Sequence, residues 1–169
     1  MNLYFLDECG FAPTQPVGYS WADAGRRPDV PYEAPQRRRV NALVAYCPIG
    51  RRRGLRFRLW ARTISAHDTL DFLLSLADPR GVPTWVVLDN GNIHHCLLVR
   101  RALPRLRRLG VHLFYLPAYC PELNDVEAVF GVIKAQELPE RSYSTLAALL
   151  DAVRTALRRY HQRLRHRCT

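Results

Sequence analysis

Short apolar runs separated by turn-forming residues predict that this chain alternates between strands and helices. The run at 85–88 is rich in β-branched and aromatic residues and stops abruptly at Asp89-Asn90-Gly91-Asn92. That pattern is typical of a strand buried on both faces and followed by a tight turn. A similar run predicts a first strand at 3–7, which leads into Asp7-Glu8. Each of these two central strands therefore ends in acidic residues.

The rest of the pattern completes an α/β fold. Residues 9–36 are rich in proline and predict an irregular excursion with a short strand at 18–21. A hairpin follows, then helices and strands in alternation; the predicted elements are strands at 40–47, 55–61 and 111–116 and helices at 65–76, 93–108, 123–134 and 145–164. This order favours a mixed five-stranded sheet with helices on both faces.

Composition limits the classes of protein to which the chain can belong. Its 169 residues predict a single domain over 1–169, and a net charge of +10 with a pI near 10.0 indicates a polyanionic partner. The five cysteines are scattered without a CxxC pair, which argues against a disulfide framework and a cysteine zinc site and favours a reducing compartment. No apolar stretch is long enough to predict a membrane span.

Three carboxylates are candidates for catalysis. If the first and fourth strands are parallel neighbours, Asp7 and Asp89 meet at one edge of the sheet, and the helix with Glu127 packs across it. Two like charges about 4 Å apart repel by about 4 kcal/mol at an effective dielectric near 20, so such a cluster needs a proton or bound cations. Oxygen ligands without thiolates suit Mg²⁺ or Mn²⁺. Two such ions stabilise the attacking and leaving oxygens of a phosphoryl displacement.

Each carboxylate also has an ordinary structural interpretation. Asp89 could cap the next helix, and Asn124-x-x-Glu127 could be a capping-box-like helix start. Side chains alternate along a strand, so only one of Asp7 and Glu8 can enter a given site, and Glu8 could be the functional one. His94-His95 is a weak candidate for zinc, because neighbours on a helix point about 100° apart. His95 could instead approach DNA or a metal-bound water.

Four motifs, in order and together spanning most of the chain, resemble the catalytic domain of DDE transposases. They are LDECGF at 6–11, GYSWADAGRRP at 18–28, VVLDNGNIHH at 86–95 and LPAYCPELNDVEAVFGVIK at 116–134. The resemblance is closest to the bacterial insertion-sequence branch of the mariner superfamily. It implies a ribonuclease-H-like fold in which Asp7, Asp89 and Glu127 bind two Mg²⁺ ions, with Asn90 as a supporting residue.

The chain departs from that family in three places. Asp125 stands where the family usually has proline, and Phe130 stands where it has tryptophan. The helix-turn-helix region that precedes the catalytic domain in full-length relatives is not expected in this sequence, which resembles a catalytic half. Asp125 places a further carboxylate near Glu127.

The combined prediction is a Mg²⁺-dependent transposase domain, with Mn²⁺ as a substitute, that cleaves DNA and joins strands. Its expected partner is double-stranded DNA, bound as a homodimer in the bacterial cytoplasm near the nucleoid. Candidate phosphate contacts are Arg37, Arg38, Arg39, Arg51, Arg52, Arg53, Arg100 and Arg101. The alternatives are an inactive remnant that acts as a DNA-binding or assembly module, and a ribonuclease or Holliday-junction nuclease of the same fold.

Overall fold

The computed structural model describes residues 1–13, 25, 39–89, 91, 96–117, 120, 123–138 and 142–166. Five strands and four helices lie in these ranges. They are β1 (Asn2–Phe11), β2 (Val40–Cys47), β3 (Gly54–Trp60), α1 (Ala66–Ser75), β4 (Thr84–Leu88), α2 (Leu97–Arg108), β5 (Val111–Tyr115), α3 (Val126–Val132) and α4 (Leu146–His166). A π-helical turn, Ile133–Glu137, continues α3. The predicted order of elements is confirmed.

The strands form one mixed sheet in the order β3-β2-β1-β4-β5. The central strand β1 pairs in parallel with β4, which pairs in parallel with β5, whereas β2 is antiparallel to both β1 and β3. The predicted mixed five-stranded sheet is therefore confirmed. Its parallel strands share one carboxyl edge, where a site in an open α/β sheet is expected.

Two hydrophobic cores, one on each face of the sheet, hold the helices in place. Alternation along β1 directs Tyr4 and Leu6 towards the core under α1 and α2, and Cys9 and Phe11 towards the core under α3 and α4. Each element therefore buries one apolar face or stripe against the sheet.

Helix α4 is fixed to the edge strand by one polar contact. Nδ1 of His161 accepts a hydrogen bond of 2.9 Å from the backbone N–H of Leu55. The preceding Gly54 has φ +122°, and a Cβ there would lie 2.5 Å from the His161 ring. Only glycine allows the hairpin to adopt this conformation with the imidazole so close.

Some predicted boundaries were wrong. β1 does not end at Asp7 but continues to Phe11, because β2 supplies antiparallel partners from Phe5 to Phe11. The helix predicted from 123 begins at Val126, and the helix predicted from 93 begins at Leu97. The short strand predicted at 18–21 lies outside the described residues. In the part of the chain that the structure describes, no helix is long and apolar enough to cross a membrane.

Candidate active site

The register between β1 and β4 places two of the predicted carboxylates side by side. Leu6 pairs with Leu88 as the last parallel pair, so Asp7 and Asp89 are the next residues of the two strands. β4 stops there, whereas β1 continues with Val44 of β2 opposite Asp7. Asp7 therefore lies inside β1, paired with β2 on one side and without a β4 partner on the other.

The pleat of β1 separates Asp7 from Glu8. Asp7 lies on the same face as Cys9 and Phe11, which pack in the core under α3 and α4. Glu8 lies on the opposite face, which Tyr4 and Leu6 share. Of the two candidates, Asp7 is the one on the face that α3 covers.

Asn124 binds the strand and does not cap a helix. Its amide Nδ2 lies 3.3 Å from the Leu6 carbonyl oxygen and 3.5 Å from Oδ2 of Asp7, and the residue is 3% exposed. Asp125 is the N-cap residue of α3 and makes no side-chain capping bond. The capping-box interpretation of Asn124-x-x-Glu127 was therefore wrong, because the amide is used to hold β1 beside the start of α3.

Glu127 completes the cluster from the first turn of α3. The pKa of Asp7 is raised to about 7, mainly by burial and in addition by a side-chain hydrogen bond with Glu127 and by the charges of Asp89 and Glu127. A hydrogen bond of 2.7 Å from the Glu8 backbone N–H to Oδ1 of Asp7 opposes this shift. Asp7 therefore lies within electrostatic reach of both Asp89 and Glu127.

Asp89 is part of a turn as well as of this cluster. Its Oδ1 accepts a hydrogen bond of 3.0 Å from the backbone N–H of Gly91, which is typical of an aspartate after a strand. It does not cap α2, whose N-cap is Cys96. The helix-cap interpretation of Asp89 was therefore wrong, whereas its place at the end of a strand is confirmed.

The donors of this cluster fit a hard divalent cation. All three acidic groups offer oxygen, and the buried Oδ1 of Asn124 has no hydrogen-bond partner among the described residues. An acid whose pKa is raised by neighbouring acids is stabilised in its ionised form when a cation binds beside it. Within the described ranges, no three His, Cys or acidic side chains lie close enough together to hold a metal ion as they stand in this structure.

A lysine near the cluster was not among the predicted residues. Lys134 follows Glu127 by two helical turns, and its Nζ lies 5.7 Å from the centre of the Phe11 ring. Burial raises the pKa of the Cys9 thiol, whereas Lys134 lowers it through its charge and a hydrogen bond. The spacing of seven residues was the available signal, because it places both side chains on one face of the helix.

The other predicted residues are not gathered at this edge. Arg51, Arg52 and Arg53 lie in the β2–β3 loop at the opposite edge of the sheet, and Arg100 and Arg101 are exposed on α2. Arg39 precedes β2 and lies near Gly10. Several predicted residues lie outside the described residues: Asn90, His94, His95, Arg37 and Arg38.

Solved structures share this fold at low sequence identity. The Mos1 strand transfer complex matches with a TM-score of 0.63 and 19% identity over 98% of this chain and 50% of the solved one. The Mos1 mariner paired-end complex with Mn matches with a TM-score of 0.59 and 17% identity over 96% and 53% of the two chains. A simian T-cell lymphotropic virus intasome matches with a TM-score of 0.55 and 14% identity over 89% and 46%.

These matches confirm the ribonuclease-H-like fold, and the chain spans about half the length of the solved proteins. None of the curated proteins matches its sequence. The family model of the DDE superfamily endonucleases matches residues 2–150, which include all three carboxylates and Asn124. The chain therefore belongs to the DDE superfamily endonuclease family.

Proposed function

We propose that this chain is a transposase catalytic domain that cleaves DNA strands and joins them in a divalent-metal-dependent reaction. One observation carries the proposal: in a member of an endonuclease family, the register of β1 and β4 sets Asp7 beside Asp89, and Asp7 interacts electrostatically with Glu127 at the start of α3. The resemblance to the bacterial insertion-sequence branch of the mariner superfamily supports the finer assignment.

Asp7, Asp89 and Glu127 would hold two Mg²⁺ ions, for which Mn²⁺ could substitute. Mos1 paired-end complexes have been solved with Mn and with Mg, which supports this choice. When bound, the ions activate the attacking hydroxyl and stabilise charge on the leaving oxygen of the phosphodiester. Asp89 would contribute to holding them from the end of β4, beside Asp7.

The protein's contribution is to hold the carboxylates before the metal arrives. Asn124 ties the start of α3 to the backbone of β1, so Glu127 and Asp7 keep a fixed separation. Its unpaired Oδ1 leaves one acceptor free to orient a water or an incoming ligand. Positioning of this kind reduces the reorganisation that the reaction requires.

The proposed partner is double-stranded DNA, at transposon ends and at a target, held by a homodimer in the bacterial cytoplasm. The net charge of +10 supports a polyanionic partner. Arg37, Arg38, Arg39, Arg100 and Arg101 remain proposed phosphate contacts, and Asn90 and His95 remain proposed supporting residues.

The test is cleavage of a supercoiled plasmid by the chain with Mg²⁺, Mn²⁺ or EDTA. We expect nicking in either metal and none in EDTA, and a loss of at least about 10³-fold in Asp89→Asn, since metal stabilisation is worth several kcal/mol. Glu8→Gln is the matched control, because it neutralises an adjacent carboxylate on the opposite face of β1. No nicking by the wild type, with metal bound, would support the inactive DNA-binding module instead.

A further inference from the structure

The edge of the sheet opposite the carboxylates is lined by arginines. A cavity of about 570 Å³ opens between the start of β1, the β2–β3 loop, the turn after α1 and the end of α4. The arginines that line it, here called the arginine cleft, are Arg51, Arg52, Arg56, Arg80 and Arg165. Asn2, at its floor, precedes Asp7 by five residues, so the cleft lies about 17 Å along β1 from the acidic cluster.

Few negative charges oppose these arginines. Among the described residues, Asp78 is the one acid that lines the cavity, and it is held by Arg52 at 3.6 Å and by the Asn2 amide at 3.0 Å. Arg52 also donates a hydrogen bond of 2.8 Å to the Leu76 carbonyl oxygen, so this arginine is committed to the fold. The other four are exposed and have no acidic partner among the described residues.

Compensation of helix dipoles does not account for this charge. The carboxyl ends of α1 and α4 point towards the cleft, and each carries roughly half a negative charge. Together they offset about one of the four uncompensated arginines. The unmatched arginines therefore form a site prepared for a ligand with several negative charges.

The shape of the cleft favours a polymer over a compact anion. A second cavity of about 320 Å³ shares Arg51 and Arg165 with the first, and a third of about 580 Å³ adjoins it at Asp78 and Pro79 and adds Arg107 and Arg108. The arginine side chains are therefore spread along the end of the sheet opposite the carboxylates and do not converge on one point. Arginine forks spaced in this way suit the repeated phosphates of a nucleic-acid backbone.

We propose that the arginine cleft binds the phosphate backbone of a DNA duplex segment other than the one held at the carboxylates. The proposal rests on the proposed function for the identity of the polymer. It extends that function, because it assigns a second DNA contact at the edge remote from cleavage. Backbone contacts of this kind position DNA without reading its sequence.

The test is the salt dependence of duplex binding, measured by fluorescence anisotropy with a labelled 20-base-pair duplex in EDTA. Arg51→Ala/Arg80→Ala/Arg165→Ala removes three exposed cleft arginines. The matched control Arg58→Ala/Arg105→Ala/Arg158→Ala removes three exposed arginines that do not line the cavities. Both variants lose the same net charge, and neither loses an ion pair among the described residues, so each should fold. The control also removes the contact of Arg58 with the Phe72 ring, whose centre lies 6.0 Å from the guanidinium carbon.

The slope of log K against log salt is negative, and each lost phosphate contact makes it less steep by about 0.9. We therefore expect the slope of the cleft variant to be less steep than that of the wild type by about 2 to 3. Its affinity at 0.1 M salt should fall about 10- to 100-fold, with the control close to wild type. Equal losses in the two variants would overturn the proposal, because they would show that net charge alone matters. Displacement of the duplex by inorganic pyrophosphate at matched ionic strength would also overturn it, in favour of a small polyphosphate ligand.

Plasmid nicking by the same proteins separates this proposal from the proposed function. We expect the cleft variant to retain metal-dependent nicking at saturating DNA. A wild type that binds duplex through the cleft but never nicks would contradict the proposed function and leave the cleft standing. If the wild type nicks DNA but the cleft variant binds duplex with the same salt dependence as the wild type, the proposed function stands and the proposal for the arginine cleft is contradicted.

Discussion

Two poorly exposed acids on the same side of the sheet, Asp7 and Glu137, have opposite surroundings. Glu137 is 3% exposed and pairs with two arginines of α4, Arg163 and, at 3.8 Å, Arg159. Asp7 faces two further acids, and burial together with those acids raises its pKa to about 7. Glu137 is arranged as a structural ion pair, whereas Asp7 lies near like charges that oppose its ionisation.

The comparison distinguishes acidic residues that stabilise the fold from acidic residues that destabilise it. A buried acid paired with arginine stabilises the protein only in the presence of that partner, and losing the partner leaves an uncompensated charge. An acid placed among acids lowers the stability of the metal-free protein, and such costs are concentrated at functional sites. Variants at the two places should therefore change stability in opposite directions.

The largest effect is expected at Glu137. Arg159→Ala/Arg163→Ala should lower the free energy of unfolding by about 3 kcal/mol, at the low end for a broken buried pair because both arginines are half-exposed. Urea titration measures this change in the free energy of unfolding. The control on the same helix is Arg154→Ala/Arg158→Ala, which removes the exposed Arg154–Asp151 pair and should cost less than about 1 kcal/mol. Equal costs in the two double variants would contradict the structural role of Glu137.

Neutralising Asp7 should have the opposite sign. Asp7→Asn removes the repulsion with Glu127 and Asp89 at nearly constant volume, so the metal-free protein should become about 1 to 2 kcal/mol more stable. The same urea titration in EDTA measures the change, with Glu8→Gln as the neighbour on the other face. A loss of stability in Asp7→Asn would show that the acid contributes to the fold instead.

Removing the amide that positions Asp7 should affect function more than stability. Asn124→Ala loses the hydrogen bond to the Leu6 carbonyl, worth about 1 kcal/mol, and also removes a buried oxygen that has no hydrogen-bond partner among the described residues. Metal-dependent nicking should fall about 10- to 100-fold, as is usual for residues that orient metal ligands. Asp125→Asn, which alters the exposed neighbouring residue, should leave nicking close to wild type.

The smallest effect is expected at His161, whose imidazole lies near two arginines. Burial lowers the pKa of His161 below 6.5, and the nearby Arg165 and Arg56 lower it further. The unfolded chain therefore binds this proton more readily, so the contribution of His161 is full above about pH 6.5 and is lost as the pH falls through the lower folded value. Solvent screening keeps the effect below about 1 kcal/mol. Between pH 7.5 and 5.5, the wild type should lose more stability, by thermal unfolding, than His161→Gln.

Much of this organisation could be predicted from local sequence. The apolar run at 85–88, which stops at Asp89, predicted β4 to within one residue, and the four motifs predicted the family. Local patterns failed where a distant segment decided the outcome. β1 runs past Asp7 because β2, which begins 33 residues later, supplies its partners. Asn124 has the spacing of a helix cap, but its amide binds a strand 118 residues away.

The arginine cleft illustrates the same limit. Its arginines come from four separate parts of the sequence, the β2–β3 loop, β3, the turn after α1 and the end of α4. Only the run at 51–53 is visible as a cluster in the sequence. Arg52 belongs to that run, yet it binds the Leu76 carbonyl oxygen and Asp78. A charge run therefore does not show which of its members are available to a ligand.

The central claim is that Asp7, Asp89 and Glu127 form one metal site. The most direct test is titration calorimetry of Mn²⁺ and Mg²⁺ into the wild type, Asp89→Asn, Glu127→Gln and the control Glu8→Gln, each with and without duplex DNA. We expect binding in the wild type and in Glu8→Gln and its loss in both cluster variants. Equal binding in all four proteins, or binding lost only in Glu8→Gln, would contradict the account.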